Sequence, residues 1–425
     1  MSDNQTNWAG NYTYSAERWH FPKTVEQIQE LASKCTKLKA VGTRHAFNGI
    51  ADSTQDMVSL LHFDRVTALD RARRTVTVEA GIRYGQLARY LHAEGYALHN
   101  LASLPHISVA GACATATHGS GDANGNLATA VSALEIVTAN GQRADLSRER
   151  DGERFAGAVV GLGGLGVVTK LTLDIVPTFS IRQDVYENLP MTQLEDHFEE
   201  IVASAYSVSL FTDWRGGTFN QLWLKSVVPA GADFQAVPER FGATLATEPR
   251  HPLAGLSAEN CTEQLGVAGP WSERLTHFRM EFTPSAGEEL QSEYLVPRRY
   301  ACAALRAVQG IQEQVAPLLQ ISEIRTVAAD DLWMSPCYRQ NCVALHFTWI
   351  KDWPRVRALL PRIEAALAPF DARPHWGKLF TTSPSRLQSL YPKLPDFLQL
   401  LASFDPEGKF QNAYLEMLLQ RSDRP

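Results

Sequence analysis

The spacing of apolar positions divides the chain into helices and strands. Val25, Ile28, Leu31, Ala32 and Cys35 recur at helical spacing behind Thr24-x-x-Gln27, a capping-box pattern, so a helix is expected over 24–35. Residues 38–42 read as a short apolar strand ending at Gly42. Val76, Val78 and Ala80 alternate and predict a strand over 74–81. Tyr84, Leu87, Ala88 and Leu91 then form one stripe of a helix closed by Gly95. Two apolar runs, 134–139 and 143–146, flank Asn140-Gly141 and predict a hairpin with a type I′ turn. Val167, Thr169, Leu171, Leu173 and Ile175 alternate as a further strand, which Pro177 ends.

After Pro177 glycine thins and aromatics become common: Phe211, Trp214, Phe219, Trp223, Trp271, Phe278 and Phe282. Strands are expected at 207–212, 221–226 and 342–350, and helices near 300–319 and 353–367. Residues 404–412 read as a turn that brings the tail back to the first part of the chain. The pattern predicts an α+β protein of two domains, 1–177 and 178–375, with 376–425 completing the first.

Composition narrows the classes. With 425 residues, 44% hydrophobic and 20% charged, the chain has the composition of a globular protein with room for a large core. Lys and Arg number 40 against 46 Asp and Glu, so 40 − 46 gives −6, which argues against a nucleic-acid partner. The uncharged stretch from Tyr96 to Gly121 carries His99, His106, His118, hydroxyls and glycines, and does not read as a membrane span. The N-terminus has no basic region followed by an apolar one, so no secretory signal is expected. Six scattered cysteines without a CxxC pair read as free thiols in the cytoplasm, and no metal site is expected. No partner-binding stripe is evident, and a monomer is the default expectation.

Candidate chemistry concentrates in two small-residue segments. Gly42-Thr43-Arg44-His45-Ala46-Phe47-Asn48 follows an expected strand, and its backbone N–H groups can approach an anion. Ser103 to Gly111 and Ala114 to Gly121 add hydroxyls and backbone donors with almost no charge, which suits a large ligand carrying phosphates. No G-x-G-x-x-G or Walker lysine motif is present, so nicotinamide and ATP sites are disfavoured.

These residues resemble a known family. Asn7-Trp8-Ala9-Gly10-Asn11, Gly42-x-x-His45-x-Phe47-Asn48, Ala102 to Gly111 and Ala116-Thr117-His118-Gly119-Ser120-Gly121 look like the alditol oxidases, FAD enzymes of the vanillyl-alcohol oxidase superfamily. The likeness continues through Tyr206 to Trp214, Asn260-Cys-Thr-Glu-Gln264, Glu281-Phe-Thr-Pro284 and Glu289 to Leu295. It ends in Glu323 to Ala329, His346-Phe-Thr-Trp349 and Pro374-His-Trp-Gly-Lys378, spanning nearly the whole chain. One departure is Arg44, where family members often carry glycine just before the flavin histidine.

The resemblance implies the two-domain fold of that superfamily, a PCMH-type FAD-binding domain with an α+β substrate cap. It implies FAD bonded covalently through His45, with Val41, Gly42, Thr43, Arg44, Ala46, Ser103, Ser108, Gly111, Thr115, Ala116, Thr117, His118 and Val168 around the cofactor. His375 and Asn412 are further candidates near the isoalloxazine, and Ala102 is the position of an oxygen gate. Substrate contacts carry over to Ser103, Gln291, Glu323, Arg325, Thr348 and Lys378, with Glu323, Arg325 and Lys378 as the catalytic set. The residues read consistently with this: a polyol needs many donors and acceptors, and Glu323 and Arg325, two apart on a strand, share a face. A cation at Lys378 would stabilise negative charge on reduced flavin. The implied reaction is hydride transfer from C1 of an alditol such as xylitol or sorbitol to flavin N5, with O2 reduced to H2O2. The alternative is a sugar-1,4-lactone oxidase or dehydrogenase of the gulono- or galactonolactone type. A non-catalytic binding protein would have lost His45, Glu323, Arg325 or Lys378, and all four are present.

Overall fold

Local sequence sets the ends of the elements, as the computed structural model of the chain shows; it describes residues 5–229, 231, 236–282 and 288–419. Met1 to Asn4 of the expected leaderless N-terminus, and Thr283 and Pro284 of the Glu281–Pro284 motif, lie outside them. Thr24 Oγ1 accepts from the N–H of Gln27 at the head of helix Val25–Lys34, but the Gln27 side chain reaches back to the N–H of Lys23. Helix Tyr84–Ala93 stops where Gly95 takes φ +83°, a conformation cheap for glycine. The hairpin of strands Val131–Val137 and Arg143–Ser147 forms, but only Gly141 has positive φ. A type I′ turn needs two such residues; instead Asn140 Oδ1 accepts from Thr138 Oγ1 and from the N–H of Gln142, so this is a longer turn. The expected helix over 300–319 is two helices, Ala301–Gln309 and Gln312–Val315, separated at Gly310, and Leu319 opens a strand.

Four sheets organise the described residues, the smallest being the antiparallel pair Tyr96–Ala97 and Val176–Pro177. A small parallel sheet orders Arg18–His20, Asp56–Ser59 and Leu38–Val41. A five-stranded antiparallel sheet runs Val66–Asp70, Thr75–Glu79, Val167–Asp174, Val131–Val137, Arg143–Ser147. The largest is a ten-stranded antiparallel sheet whose central order is Ser180–Pro190, Thr218–Val228, Ser207–Thr212, Leu319–Val327, Cys342–Trp349, Leu290–Pro297, with Arg373–Pro374 beyond.

The large sheet is buried on both faces. Strand Cys342–Trp349 has no exposed residue. Val343, Leu345, Phe347 and Trp349 point one way and join Leu305, Val308, Leu360 and Ile363 of helices Ala301–Gln309 and Trp353–Leu367 in one apolar core. The alternate residues His346 and Thr348 point the other way, towards the first part of the chain. A second core unites the first sheets with the tail helices Leu394–Phe404 and Ala413–Leu419, and takes in Trp271, Leu275, Trp333 and Met334 from inside the expected 178–375 range. Trp333 Nε1 donates to Glu153 and Asn126 Nδ2 to Asp330, which explains why that segment packs there. The 404–412 turn is held by Asp405, which accepts from the N–H groups of Lys409 and Phe410. The Lys409 ammonium, in turn, donates to the carbonyl of Ala139. No helix among the described residues is long and apolar enough to cross a membrane.

Candidate active site

Strand register brings the polar residues together. Glu323, His346 and Glu293 sit opposite one another on three neighbouring strands, and Gln291 lies opposite Thr348 in the next row. Because side chains alternate, all of them, with Arg325, face the same cavity of about 490 Å³. Lys378 enters it from the loop after the edge strand Arg373–Pro374.

That loop is fastened to the His45 loop. Asn48 Nδ2 donates to the carbonyls of Trp376 and Lys378, and the N–H of Phe47 donates to the carbonyl of Gly377. On its other side, Asn7 Nδ2 and Asn11 Nδ2 donate to the carbonyls of Ala46 and Phe47, and the Trp8 ring stacks on His45 at 5.3 Å. The Asn7–Asn11 motif is therefore a clamp on the histidine loop.

At the sheet, two carboxylates carry the charge. Glu293 Oε1 accepts from Arg325 Nη2 at 2.7 Å and lies 3.4 Å from His118 Nε2; its Oε2 is 2.8 Å from Lys378 Nζ, an ion-pair contact rather than an aligned hydrogen bond. Burial pushes Glu293 towards neutrality, but Lys378, His118 and Arg325 more than reverse it, leaving the group well below the usual carboxylate range. Glu323 behaves likewise: burial raises it, and Arg325 and His277, whose Nε2 is 2.7 Å from Oε1, bring it far down. Lys378 is lowered by burial against the pull of Glu293. His346 is held well below the usual imidazole value by burial and by Lys378, whose ammonium donates to its Nδ1 at 2.7 Å, while Nε2 pairs with Thr348 Oγ1 at 3.1 Å. Arg325 Nη1 also reaches Ser103 Oγ at 3.4 Å.

The expected residues fall into two groups. Val41 to Ala46, Ala102, Ser103, Ser108, Gly111, Thr115, Thr117, His118, Gln291, Glu323, Arg325, Thr348, His375 and Lys378 all line the one cavity. Ala116, Val168 and Asn412 do not. Asn412 Nδ2 is taken up by the carbonyls of Gly49, Ile50 and Asp52, and Val168 packs within the five-stranded sheet opposite Ile136. His375, pushed down to about 3 by burial and then by Lys378, accepts at Nδ1 from the N–H of Gly377. Trp376 is fully buried, donates to the carbonyl of Met334 and packs on Tyr391. Sequence reasoning did not assign Glu293, His346 or His277; the first two lie in the quoted motifs, one alternation away from Gln291 and Thr348.

Arg44 has φ +61°, a conformation that disfavours any side chain, and its Nη1 donates to the carbonyl of Thr6. Glycine would adopt this backbone without that cost.

Comparison with known proteins gives the same assignment. Residues 17–147 match the FAD binding domain family and residues 284–418 the D-arabinono-1,4-lactone oxidase family. Alditol oxidase from Streptomyces sp. is 51% identical over 99% of this chain and 100% of its own length. L-gulonolactone oxidase from Bos taurus is 27% identical over 96% of this chain and 97% of its own. Among solved structures, cholesterol oxidase from B. sterolicum shares the fold with a TM-score of 0.79 at 15% identity, covering 98% of this chain and 96% of the other. An FAD-binding domain joined to a sheet that walls a polar chamber makes the protein an FAD-dependent oxidoreductase with the PCMH-type fold. Within that class, the chain belongs to the alditol oxidase family.

The residues fit FAD. His45 is half-buried in the cavity wall, and its buried Nδ1 has no partner among the described residues. Burial, then His106, pushes the imidazole down to about 4, so it is neutral and nucleophilic at working pH. A Cβ on Gly42 would lie 2.2 Å from Ser108 Oγ, and one on Gly111 2.8 Å from it, so the wall there has room for backbone only. Thr115, Thr117 and Ser108 put hydroxyls on the same surface.

Proposed function

We propose that the protein oxidises the terminal C1 alcohol of an alditol, with xylitol and sorbitol as its substrates, to the aldose, while O2 becomes H2O2. The observation that carries this is the row Glu323, His346 and Glu293 with Arg325, Thr348, Gln291 and Lys378 on one cavity wall. FAD, held by the 41–46 and 103–118 segments and bonded through His45, supplies the two-electron acceptor that O2 then reoxidises.

The chain's own residues do the rest. Glu323, ionised and fixed, accepts from the polyol hydroxyls, and the Arg325 guanidinium and Ser103 donate to them. Gln291 and Thr348 supply further donors and acceptors one row along. The neutral His346 imidazole takes the hydroxyl proton as C1 is oxidised, at the Nδ1 that the Lys378 ammonium yields by turning to Glu293 Oε2, 2.8 Å from it, because an alcohol is too weak an acid to lose the proton beforehand. Glu293 then faces the new imidazolium from 3.9 Å. Ala102, small and on the cavity wall, leaves room for O2. The free cysteines suit a reducing cytoplasm, and the enzyme works as a monomer.

Oxygen uptake and peroxide formation on adding xylitol to the air-equilibrated enzyme test the reading. A second reading, oxidation of a sugar-1,4-lactone, is favoured by the match of residues 284–418 to the lactone oxidase family. Turnover of L-gulono-1,4-lactone with xylitol inert would select it.

A further inference from the structure

A fully buried lysine lies behind the substrate wall, outside every role given above. Lys225, on strand Thr218–Val228, donates from Nζ to the carbonyls of Leu275 and Thr276 at 2.7 and 2.8 Å and contacts His277 Nδ1 at 3.1 Å. Burial pushes Lys225 down to about 7, against the pull of Glu323, but its three contacts are the three acceptors that an ammonium's three protons can serve. The imidazole it touches is the one whose Nε2 lies 2.7 Å from Glu323 Oε1. With Nδ1 occupied as an acceptor, a neutral His277 carries its proton on Nε2, which is the tautomer that donates to a carboxylate.

The surroundings hold the ring in that pose. Trp223 and Phe211 pack edge-on to it at 5.2 and 5.7 Å. Thr262, inside the Asn260–Gln264 motif, donates from its N–H to the carbonyl of His277 and from its hydroxyl to that of Thr276. The N–H of His277 itself donates to the carbonyl of Ser103, so the ring is tied to a second cavity residue. Burial, then Lys225, brings the imidazole down to about 4, so it stays neutral while Glu323 stays charged.

We infer that Lys225 is a positioning residue for the polyol site: its ammonium fixes His277 so that Nε2–H is donated to Glu323, holding that carboxylate aimed into the cavity. The inference rests on Glu323 being a substrate contact. Lys225 touches neither substrate nor cofactor and acts only through His277 and Glu323.

The test is steady-state oxidation of xylitol by flavin-loaded variants, with KM and kcat read separately and flavin content and circular dichroism as controls. Lys225→Met should raise KM about tenfold with kcat changed by less than about threefold, the size of one lost charge-assisted hydrogen bond. In a Glu323→Gln background the same substitution should change KM by less than about twofold, because its only route of action is gone. His277→Gln keeps a donor at the Nε2 position and should retain most of the native KM, whereas His277→Leu should reproduce the loss. Equal effects of Lys225→Met in both backgrounds, or equal KM in His277→Gln and His277→Leu, would overturn the inference while leaving Glu323 as a substrate contact. A native KM in Glu323→Gln alone would overturn that contact and the inference with it. If Lys225→Met does not accumulate folded, the two His277 variants decide the matter.

Discussion

The Lys378 ammonium donates to Nδ1 of His346 across 2.7 Å, joining the loop after an edge strand to the middle of the sheet. The ammonium depresses protonation of the imidazole: a second cation beside it in a buried site would be repelled, so the imidazole stays neutral. A base of this kind stays ready over the whole neutral range.

The pH dependence of kcat/KM for xylitol follows. Burial and Lys378 lower His346, Arg325 lowers it further, and Glu293 and Glu323 oppose them. Activity should hold as pH falls through the ordinary imidazole range and fail only well below it. Lys378→Met removes one downward push while leaving both carboxylates, so the acid limb should move to higher pH. The rate itself should fall by about a hundredfold, the usual worth of a positioned group that stabilises charge developing in the transition state. An acid limb that does not move between the two enzymes would take His346 out of proton transfer.

Glu293 holds the same cluster together. It is buried and meets Arg325, Lys378 and His118, so Glu293→Gln takes the facing carboxylate from Lys378 and leaves Arg325 with Glu323 alone, 3.6 Å away. Removing one partner of a buried pair costs roughly 3–5 kcal/mol, and a fall in thermal midpoint at pH 7 is expected. The carboxylate's folded pKa lies below its unfolded one, so its contribution is present above the unfolded value of about 4.3 and is lost as pH falls through the folded value. The gap between native and variant midpoints should therefore narrow below about pH 4. A gap that is constant with pH would mean the charge is not what stabilises the cluster.

How much of this was legible in the sequence differs by residue. The clean alternation of Cys342 to Trp349 gives both a strand and its polar face, because every second side chain meets the helices. The Glu323-x-Arg325 pair is legible for the same reason. Strand Leu290–Pro297 is not legible, since Glu289 and Glu293 look solvent-facing although both are buried, Glu293 only because Lys378 and Arg325 arrive from distant segments to neutralise it. The Asn140-Gly141 turn misled in detail, because the dipeptide fits more than one turn and five residues, 138–142, separate the strands. Lys225 and His277 carry no sequence signal at all; strand pairing and the Thr262 tether alone bring them together.

His45 offers a direct chemical check. The residue lines the cavity with its buried Nδ1 unpartnered among the described residues, and the stacked Trp8 ring and the Asn7 and Asn11 clamps fix its loop. Acid precipitation of the native protein should leave the yellow colour on the chain. In His45→Ala the colour should pass to the supernatant, since the other cavity residues bind FAD without a bond. Colour released from the native protein would refute the covalent link and leave the fold assignment intact.

Arg44 carries the last prediction. At φ +61° its side chain sits in a conformation that costs an L-residue about 1–2 kcal/mol, and its one hydrogen bond, Nη1 to the carbonyl of Thr6, is exposed. Glycine adopts that backbone freely but loses about 0.5–1 kcal/mol more conformational freedom on folding. The difference favours the variant, so Arg44→Gly should raise the urea midpoint by an amount equivalent to about 0.5 kcal/mol, with flavin content unchanged. A lower midpoint would mean that the guanidinium contributes more than the strain costs, and would give Arg44 a stabilising role in this chain that glycine cannot supply.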